Sequence, residues 1–324
     1  MRSIDTKKVA IILLNYNGIL TTFRNKSILL SCIHYLKKTR YNNYKIIIVD
    51  NGSTDQSLFK IGKYNDIDII KIEKNVPNFS VANNIGMKYA KEKYNSDYFL
   101  LISNDVFTIN PLWLKKLIAV AEKQKAGIVG CKLVYPTGRI QHAGMSISYI
   151  ARNIGRGEED CNQYNYIKEV DGVTFALVLI KNKVINNVGF LDENFHMGYE
   201  DVDYCLRVRK EGYKIIYDGN VNNVHLEGYT LTNSKYPRRQ MLTFYNGQMN
   251  YIYFALKWLN VLDKIKALSV YVLGAFITTE GADKKKSFKN IRIKEQPMRR
   301  LYLSLIALYE VKRLVSKNHS DMHN

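Results

Sequence analysis

Cysteine is scarce in this chain, and its spacing argues against two kinds of small protein. The 324 residues include four cysteines with no C-x-x-C pair among them: Cys32, Cys131, Cys161 and Cys205. A disulfide scaffold or a structural zinc site would need paired or closely spaced cysteines. Hydrophobic residues make up 46% of the chain, which excludes a wholly disordered protein. We therefore expect a folded protein of a reducing compartment.

Long apolar runs are also missing. No uncharged run reaches the roughly 20 residues that a membrane-spanning helix needs. The stretch Val9–Leu14 is too short for the core of a signal peptide, and it runs directly into a polar turn at residues 15–18. The sequence predicts a cytoplasmic chain that does not span a membrane, although it could be peripheral on the inner face of the cell membrane.

Acidic residues are too few to balance the basic ones. The chain has 48 Lys plus Arg against 29 Asp plus Glu, a formal net charge of +19. From residue 231 onward there are 17 basic and 6 acidic residues, against 31 and 23 in the first 230. A cationic tail of this kind suits an anionic surface, either nucleic acid or phospholipid headgroups.

The first 125 residues alternate short apolar runs with longer amphipathic stretches. Predicted strands are Val9–Leu14, Ile46–Val49, Asp68–Ile72 and Tyr98–Ile102, and predicted helices are Ser27–Lys38, Val81–Lys93 and Pro111–Lys123. Such an alternation favours an α/β fold with a parallel sheet that helices cover on both faces.

Beyond Gly127 the pattern changes to strands separated by longer polar loops. Predicted strands are Ile128–Leu133, Met145–Ile150, Val170–Ile180 and Lys214–Tyr217; a helix is predicted at Asp201–Glu211 and a mobile loop at Arg152–Tyr164. After Tyr236 the pattern is helical, with the basic segment Lys284–Lys294 as an interruption. Helices are predicted there at Tyr251–Leu262, Lys264–Ile277 and Arg299–Lys317.

Three predicted strands end in polar turn-forming residues. These ends are Asn15-Tyr16-Asn17-Gly18, residues 50–55 and Ser103-Asn104-Asp105. Ligands of open α/β sheets bind beyond the carboxyl ends of the strands, so these residues mark the expected site. Neither a G-x-G-x-x-G sequence nor a phosphate-binding G-x-x-x-x-G-K-[ST] loop is present, which argues against the two commonest nucleotide folds.

A second polar cluster begins the helix predicted at Asp201. Glu200, Asp201 and Asp203 place three acids within four positions, directly after Tyr199. Helix capping and a favourable dipole would explain one or two acids. Three acids after a glycine-containing turn favour a functional site.

Taken together, these segments resemble a family-2 glycosyltransferase of the GT-A fold, close to a rhamnosyltransferase-like subgroup. The resemblance covers about residues 8–245 and rests on Asn15-Tyr16-Asn17-Gly18, Val49–Asp55, Asn83-Asn84-Ile85-Gly86, Ser103-Asn104-Asp105-Val106, Gly189–Glu193, Tyr199–Asp203 and Val224-His225. It implies a Rossmann-like mixed sheet flanked by helices. The catalytic domain would span residues 1–235, with a nucleotide-sugar half at 1–125 and an acceptor half at 126–235, and a basic helical extension would follow at 236–324.

The resemblance also implies a donor site and a metal site. Residues implied to contact a nucleotide-diphosphate sugar are Asn15, Tyr16, Asn17, Asp50, Asn84 and Asn104, although Asn84 could equally cap a turn. Asp105 and His225 would bind Mg²⁺ or Mn²⁺ on the diphosphate. Ser103 stands where the family's D-x-D motif has its first acid. Hard divalent cations take oxygen ligands, and phosphates can supply those that the protein does not. Taken alone, His225 would more often be a surface or satisfied histidine.

The acids near residue 201 would then carry the chemistry. The resemblance makes Asp201 the base that removes a proton from the acceptor hydroxyl during an inverting displacement. Glu200 or Asp203 would orient this base or bind the acceptor, and Tyr199 would line the acceptor side. The expected acceptor is a glycan or a lipid-linked sugar, which fits a basic tail on an anionic membrane.

Three alternatives remain open on the sequence alone. The charge of +19 and the 24 tyrosines fit a nucleic-acid-binding protein, although no recognised nucleic-acid motif is present. Paired carboxylates fit a glycoside hydrolase, but that function would leave Asp50 and Asp105 without a purpose. Ser103 fits a non-catalytic sugar-nucleotide binder. We predict a glycosyltransferase without a nucleic-acid partner.

Overall fold

Helices and strands alternate along the part of the chain that the structure describes. This computed structural model describes residues 4–227, 237–267, 277–279 and 291–293, and positions 305, 306, 308, 309 and 311. The helices are α1 (Ile28–Lys37), α2 (Ser57–Ile61), α3 (Phe79–Tyr94), α4 (Trp113–Lys123), α5 (Asn182–Val188), α6 (Glu200–Lys210) and α7 (Pro237–Trp258), with a 3-10 turn at Ile4–Thr6.

The strands are shorter and more numerous. They are β1 (Val9–Asn15), β2 (Thr22–Phe23), β3 (Lys26–Ser27), β4 (Tyr44–Asn51), β5 (Ile67–Ile72), β6 (Tyr98–Ser103), β7 (Val106–Phe107), β8 (Ala126–Val134), β9 (Ile140–His142), β10 (Met145–Ile147), β11 (Ala151–Asn153), β12 (Ile167–Glu169), β13 (Leu177–Lys181), β14 (Lys214–His225), β15 (Ile277–Thr279) and β16 (Ile291–Ile293). The pairs β2–β3, β10–β11 and β15–β16 form separate two-stranded sheets.

One mixed sheet organises the fold. Its strand order is β12-β14-β8-β13-β6-β1-β4-β5, with β7 added beside β14 and β9 beside β8. The strands β6, β1, β4 and β5 are parallel, which confirms the alternation predicted for the first 125 residues. β13 runs antiparallel between β6 and β8, whereas β14 is parallel to β8.

The central strands of the sheet are buried on both faces, as the unbroken apolar runs predict. In β1, Ile11 and Leu13 join one core cluster with side chains of α1 and α4, whereas Ala10 and Ile12 join a second cluster with side chains of α3 and α6. Successive side chains of a strand point to opposite faces, so one short strand serves both layers.

Two predictions on the acceptor half are wrong in part. Of the predicted strand Val170–Ile180, only residues 177–180 lie in a strand, β13, which continues to Lys181. The residues before it are apolar because they pack under α6 and not because they pair along their length: Phe175 is buried and lies edge-on to Tyr204. The predicted mobile loop Arg152–Tyr164 includes the end of β11 and has defined contacts. The buried Lys132, for example, binds Asp160 Oδ2 at 2.6 Å.

The tail is helical only in part. α7 confirms the first predicted helix, and residues 261–267 are also helical. Ile277, which the sequence places at a helix end, begins a strand that pairs with β16 in the basic segment. Most of the predicted helix Arg299–Lys317 and of the segment Lys284–Lys294 lies outside the described residues. Among the described helices, none is long and apolar enough to cross a membrane.

A close contact between α3 and the sheet gives a test of this packing. A Cβ added at Gly86 would lie 2.6 Å from Ile12 Cγ2 and 2.9 Å from Val49 Cγ2. We expect Gly86→Ala to lower the free energy of unfolding by about 1–3 kcal/mol, because the added methyl over-packs the core. Urea denaturation measures this change.

The matched control is Gly247→Ala in α7, where an added Cβ meets nothing within 4 Å. That change should be neutral or should stabilise the protein by about 0.5–1 kcal/mol, since alanine is the better helix former. Equal stability of the two variants would contradict the packing described for α3.

Candidate active site

Three strand ends meet at one edge of the sheet, as the sequence predicts. Asn15 stands opposite Asp50 in the register of β1 and β4, and its Nδ2 donates to Asp50 Oδ2 at 2.8 Å. From the neighbouring side, Asn104 Nδ2 donates to Asn15 Oδ1 at 3.0 Å. Three of the predicted donor-site residues therefore form one hydrogen-bonded row across the edge.

The turn after β4 fixes the buried Asp50 carboxylate further. Asp50 accepts from the Ser53 amide at 3.0 Å and from the Ser53 hydroxyl at 2.7 Å. Asn17, in a left-handed backbone conformation with φ 50°, accepts from the Thr54 amide at 2.8 Å. Tyr16 is partly exposed beside this turn. The two turns thus hold one another in place, which prepares a rigid polar surface.

Asn84 lies apart from this row. Its side-chain amide donates to Leu191 O at 2.9 Å and to Glu193 Oε1 at 2.8 Å, and its Oδ1 accepts from the Leu191 amide at 3.0 Å. Both amide hydrogens are therefore used within the protein. These contacts favour a role in holding the loop that leads to α6, and the predicted contact with ribose or phosphate stays a prediction.

Asp105 and His225 come together because β7 pairs with the end of β14. His225 is opposite Val106 in that antiparallel pair, and its Nε2 lies 3.3 Å from Asp105 Oδ1. Both side chains are mostly buried. The other ring nitrogen, Nδ1, is 2.6 Å from Gln141 Oε1. Among the described residues, no group of three or more His, Cys, Asp or Glu side chains could hold a metal by itself.

The head of α6 carries the second polar cluster. Tyr199 takes a left-handed conformation with φ 67° just before the helix, after Gly198 with φ 97°. This sharp turn places Glu200 and Asp201 side by side in the first turn of the helix. Glu200 is 7% exposed and its Oε2 has no hydrogen-bond partner, whereas Asp201 keeps partial exposure.

Burial makes both of these carboxyl groups weak acids. It raises the pKa of Glu200 to about 8, and the adjacent Asp201 charge adds to the effect. Burial likewise raises the pKa of Asp201 to about 6. Hydrogen bonds from the Val202 and Phe175 amides and the Thr174 hydroxyl act in the opposite direction and lower it. A carboxyl group with a pKa near neutrality suits proton transfer.

The segment before β13 connects the two polar clusters. Ala176 O accepts from the Ser103 amide at 3.0 Å, next to Asn104 and Asp105. The two residues before Ala176 are the ones that donate to Asp201. The head of α6 therefore lies at the same edge of the sheet as the ends of β1, β4 and β6.

Asp203 and Tyr199 both have partners within the protein, and their predicted roles at the acceptor stay predictions. The Asp203 carboxylate is fully buried; it accepts from Arg207 Nε at 2.8 Å and from Trp258 Nε1 at 2.9 Å, and Lys257 Nζ lies 2.8 Å away. These contacts favour a packing role for Asp203. Tyr199 packs on Tyr251 and Phe254 of α7.

Sequence reasoning missed several residues that support the site. Gln141, Thr174 and Lys257 stand far from the motifs they contact, with 84 residues separating Gln141 from His225. No spacing rule signals such pairs. His142 is buried; its Nδ1 is 2.8 Å from Asn153 Oδ1, and its Nε2 accepts from the Thr174 amide.

The unpaired Glu200 gives a test of this electrostatic environment. Its folded-state pKa lies above the ordinary carboxyl value, so ionisation destabilises the folded protein as pH rises from about 4.5 to 8. Glu200→Gln should therefore stabilise the protein at pH 8 by about 1–3 kcal/mol, the order of the penalty for an unsatisfied buried group. Thermal unfolding at a series of pH values measures the gain, which should shrink towards pH 4.5. A gain that is the same at every pH would contradict the raised pKa.

Comparison with known proteins agrees with this geometry. The family description "Glycosyl transferase family 2" matches residues 18–184, just over half of the chain. The O-antigen biosynthesis protein RfbC of Myxococcus xanthus is 26% identical over 222 residues, which cover 65% of this chain and 17% of that protein. The rhamnosyltransferase WbbL of Escherichia coli is 24% identical, covering 59% of this chain and 78% of WbbL. A protein of Sinorhizobium fredii is 31% identical, and the chain spans about a fifth of the length of that relative and of RfbC.

Two solved structures share the fold at low sequence identity. GalNAc-T7 with UDP, GalNAc and Mn²⁺ has a TM-score of 0.58 and 13% identity, over 79% of this chain and 48% of the other. The mannosyltransferase PcManGT from Pyrobaculum calidifontis, with GDP-Man and Mn²⁺, has a TM-score of 0.54 and 12% identity, over 99% and 82%. The mixed sheet flanked by helices is thus the GT-A fold. On the extent of the family match, the chain belongs to glycosyl transferase family 2.

Proposed function

We propose that this protein is a glycosyltransferase that moves a sugar from a nucleotide-diphosphate donor to a hydroxyl of a glycan or lipid-linked acceptor, with inversion. Family membership supports the reaction class. The names of RfbC and WbbL support a glycan as the acceptor. The family match ends at residue 184, before α6, so the base is proposed from the geometry of this chain.

The observation that carries the proposal is the carboxylate pair at the head of α6. Within the described residues no lysine or arginine forms an ion pair with Glu200 or Asp201, and both pKa values are raised. If these acids served only as helix caps, their burial without a counter-charge would cost free energy and bring no benefit. We assign Asp201 as the base, because it is the more exposed of the two and ionises first.

Glu200 would keep its proton at neutral pH and so limit the negative charge at this position. Two ionised carboxylates side by side repel one another, and this repulsion would raise the pKa of both groups. A protonated Glu200 leaves one charge, on Asp201, at the position where the acceptor hydroxyl loses its proton. We propose that Glu200 tunes the base in this way and does not itself take the proton.

The donor would lie over the row formed by Asn15, Asp50 and Asn104. Their amide and carboxylate groups are held by hydrogen bonds within the protein, so they are ordered before a ligand arrives. Two proteins of the same fold were solved with UDP or GDP-Man at their sites, which supports a nucleoside diphosphate here. Tyr16 and Asn17 are proposed to border the nucleotide's heterocyclic base.

The residues at Asp105 and His225 fit a divalent cation. One carboxylate oxygen and one imidazole nitrogen lie 3.3 Å apart, and neither is buried beyond reach of solvent. Two protein ligands suffice for Mg²⁺ or Mn²⁺ when phosphate oxygens complete the coordination. A bound cation would neutralise charge on the leaving diphosphate, so no general acid is needed.

The boundary between the catalytic domain, which ends at residue 235, and the basic extension, which begins at residue 236, is also a proposal. We propose that residues 236–324 extend the catalytic domain and that their 16 basic residues against 6 acidic ones favour attachment to an anionic membrane. Lipid-linked acceptors lie on such a surface.

The base assignment predicts a specific loss of transfer. Asp201→Asn should lower turnover at least about 100-fold while nucleotide affinity stays within twofold, since a positioned general base contributes on that order. Wild-type turnover should fall as pH drops through about 6, because protonated Asp201 cannot accept the acceptor proton. Steady-state transfer assays between pH 5 and 8 test both statements.

The matched control is Asp66→Asn, which changes an exposed carboxylate before β5 that pairs with Lys37. It should leave turnover and the pH profile unchanged. An Asp201→Asn variant with wild-type turnover would overturn the base assignment.

Donor and metal can be tested together by thermal shift. A panel of UDP-, GDP- and dTDP-sugars should include one that stabilises the protein in the presence of Mn²⁺, by about 2.7 kcal/mol when its concentration is 100-fold above Kd. Asp105→Asn should reduce the part of this stabilisation that depends on Mn²⁺. If the same nucleotide sugars stabilise the protein equally in the presence of EDTA, the proposed metal dependence is wrong. If no nucleotide sugar stabilises the protein, the proposed donor class is wrong.

A further inference from the structure

We infer that Gln141 is a positioning residue that presents His225 to the cation. The inference rests on the metal site proposed above and goes beyond it, because it concerns a side chain outside every motif of the sequence. Gln141 lies in β9, is 3% exposed, and contacts His225 across the end of the sheet.

The orientation of the Gln141 amide follows from its two partners. Nε2 is 3.1 Å from Glu227 Oε2, and Oε1 is 2.6 Å from His225 Nδ1. A carboxylate can only accept hydrogen bonds, so the amide NH₂ group must face Glu227. The carbonyl oxygen then faces the imidazole and must accept, which places a proton on His225 Nδ1.

Glu227 is itself held from the other side. Arg156 Nη2 lies 2.9 Å from both carboxylate oxygens, and the Tyr135 hydroxyl donates to Oε2 at 2.7 Å. Rotation of the Gln141 amide would bring its carbonyl against this carboxylate. The chain of contacts from Arg156 through Glu227 to Gln141 therefore fixes both the ring orientation and the tautomer of His225.

The consequence appears at the opposite ring nitrogen. With the proton on Nδ1, neutral His225 keeps a lone pair on Nε2, which lies 3.3 Å from Asp105 Oδ1. Two electron pairs at this separation repel one another unless a positive charge lies between them. Ligating histidines generally donate their second ring N–H to an oxygen acceptor, and loss of that acceptor weakens metal binding about 10–100-fold.

The test uses the Gln141→Leu variant of the full chain and two readouts. In the metal-free protein, at a pH that leaves the imidazole neutral, ¹⁵N-histidine NMR should show His225 as the Nδ1–H tautomer in the wild type and a mixture in Gln141→Leu. The His225→Ala spectrum identifies the signal. Mn²⁺ titrated in the presence of UDP, GDP or dTDP, with free Mn²⁺ followed by electron paramagnetic resonance, should bind about 10–100-fold more weakly to Gln141→Leu.

A double variant separates positioning from packing. In Gln141→Glu with Glu227→Gln, a carboxylate accepts from His225 Nδ1 and the new amide at position 227 donates to that carboxylate, so the chain of hydrogen bonds is restored. It should recover the tautomer and most of the Mn²⁺ affinity that Gln141→Leu loses. Gln124→Leu, at the end of α4 and the opposite edge of the sheet, should change neither readout.

The outcomes distinguish a failure of this inference from a failure of the proposed metal site on which it depends. If His225→Ala leaves the Mn²⁺ affinity unchanged, the proposed metal site is wrong and the inference is lost with it. If His225→Ala weakens binding but Gln141→Leu keeps both the wild-type tautomer and affinity, the metal site stands and Gln141 is not a positioning residue.

Discussion

The register of β1 with its two neighbours is the constraint on which the site depends. Parallel strands deliver their last residues to one edge, and here the register sets Asn15 beside Asp50 and Leu14 beside Ser103. A slip of one residue would turn every side chain of the strand to the other face. Because β1 is buried on both faces, such a slip would also move apolar side chains between two packed layers. The core therefore holds the polar row in place, although no residue of that row belongs to it.

The acids at the head of α6 show how differently the fold treats neighbouring carboxylates. Asp203 receives Arg207, Lys257 and Trp258, so its charge is neutralised inside the protein. Glu200 and Asp201 are also largely surrounded by protein, yet among the described residues no lysine or arginine forms an ion pair with either of them. Burying a carboxyl group without a counter-charge costs free energy, which the apolar clusters on either side of the sheet must offset. This contrast distinguishes the charge-paired Asp203 from the proposed reactive acids within one helical turn, and the spacing of the sequence alone does not.

Much of this arrangement could be predicted from the sequence, because local patterns determine it. Continuous β-branched runs between amphipathic stretches give the parallel half of the sheet, and the residues after each run mark its carboxyl edge. The strand predicted at Val170–Ile180 is wrong over residues 170–176, because an apolar segment looks the same whether it pairs or packs under a helix. The roles of Asp203 and Asn84 depend on partners 55 and 107 residues away, Trp258 and Leu191, and no local pattern encodes those partners. Tertiary contacts of this kind decide which polar residues are free to act.

The loop that leads to α6 lies beyond the region of the family match. Two helices that are far apart in the sequence, α3 and α7, hold it. From α3 and its cap, Asn84 binds Leu191 and Glu193, and Asn78 donates to Glu193 O at 2.7 Å. From α7, Asn250 accepts from the His196 amide at 3.1 Å and donates to Met197 O at 2.8 Å. The left-handed turn at residues 198 and 199 follows directly, so both helices hold the segment that leads into its strained backbone. The position of the proposed catalytic base therefore depends as much on α7, which follows the last strand of the main sheet in the sequence, as on the sheet itself.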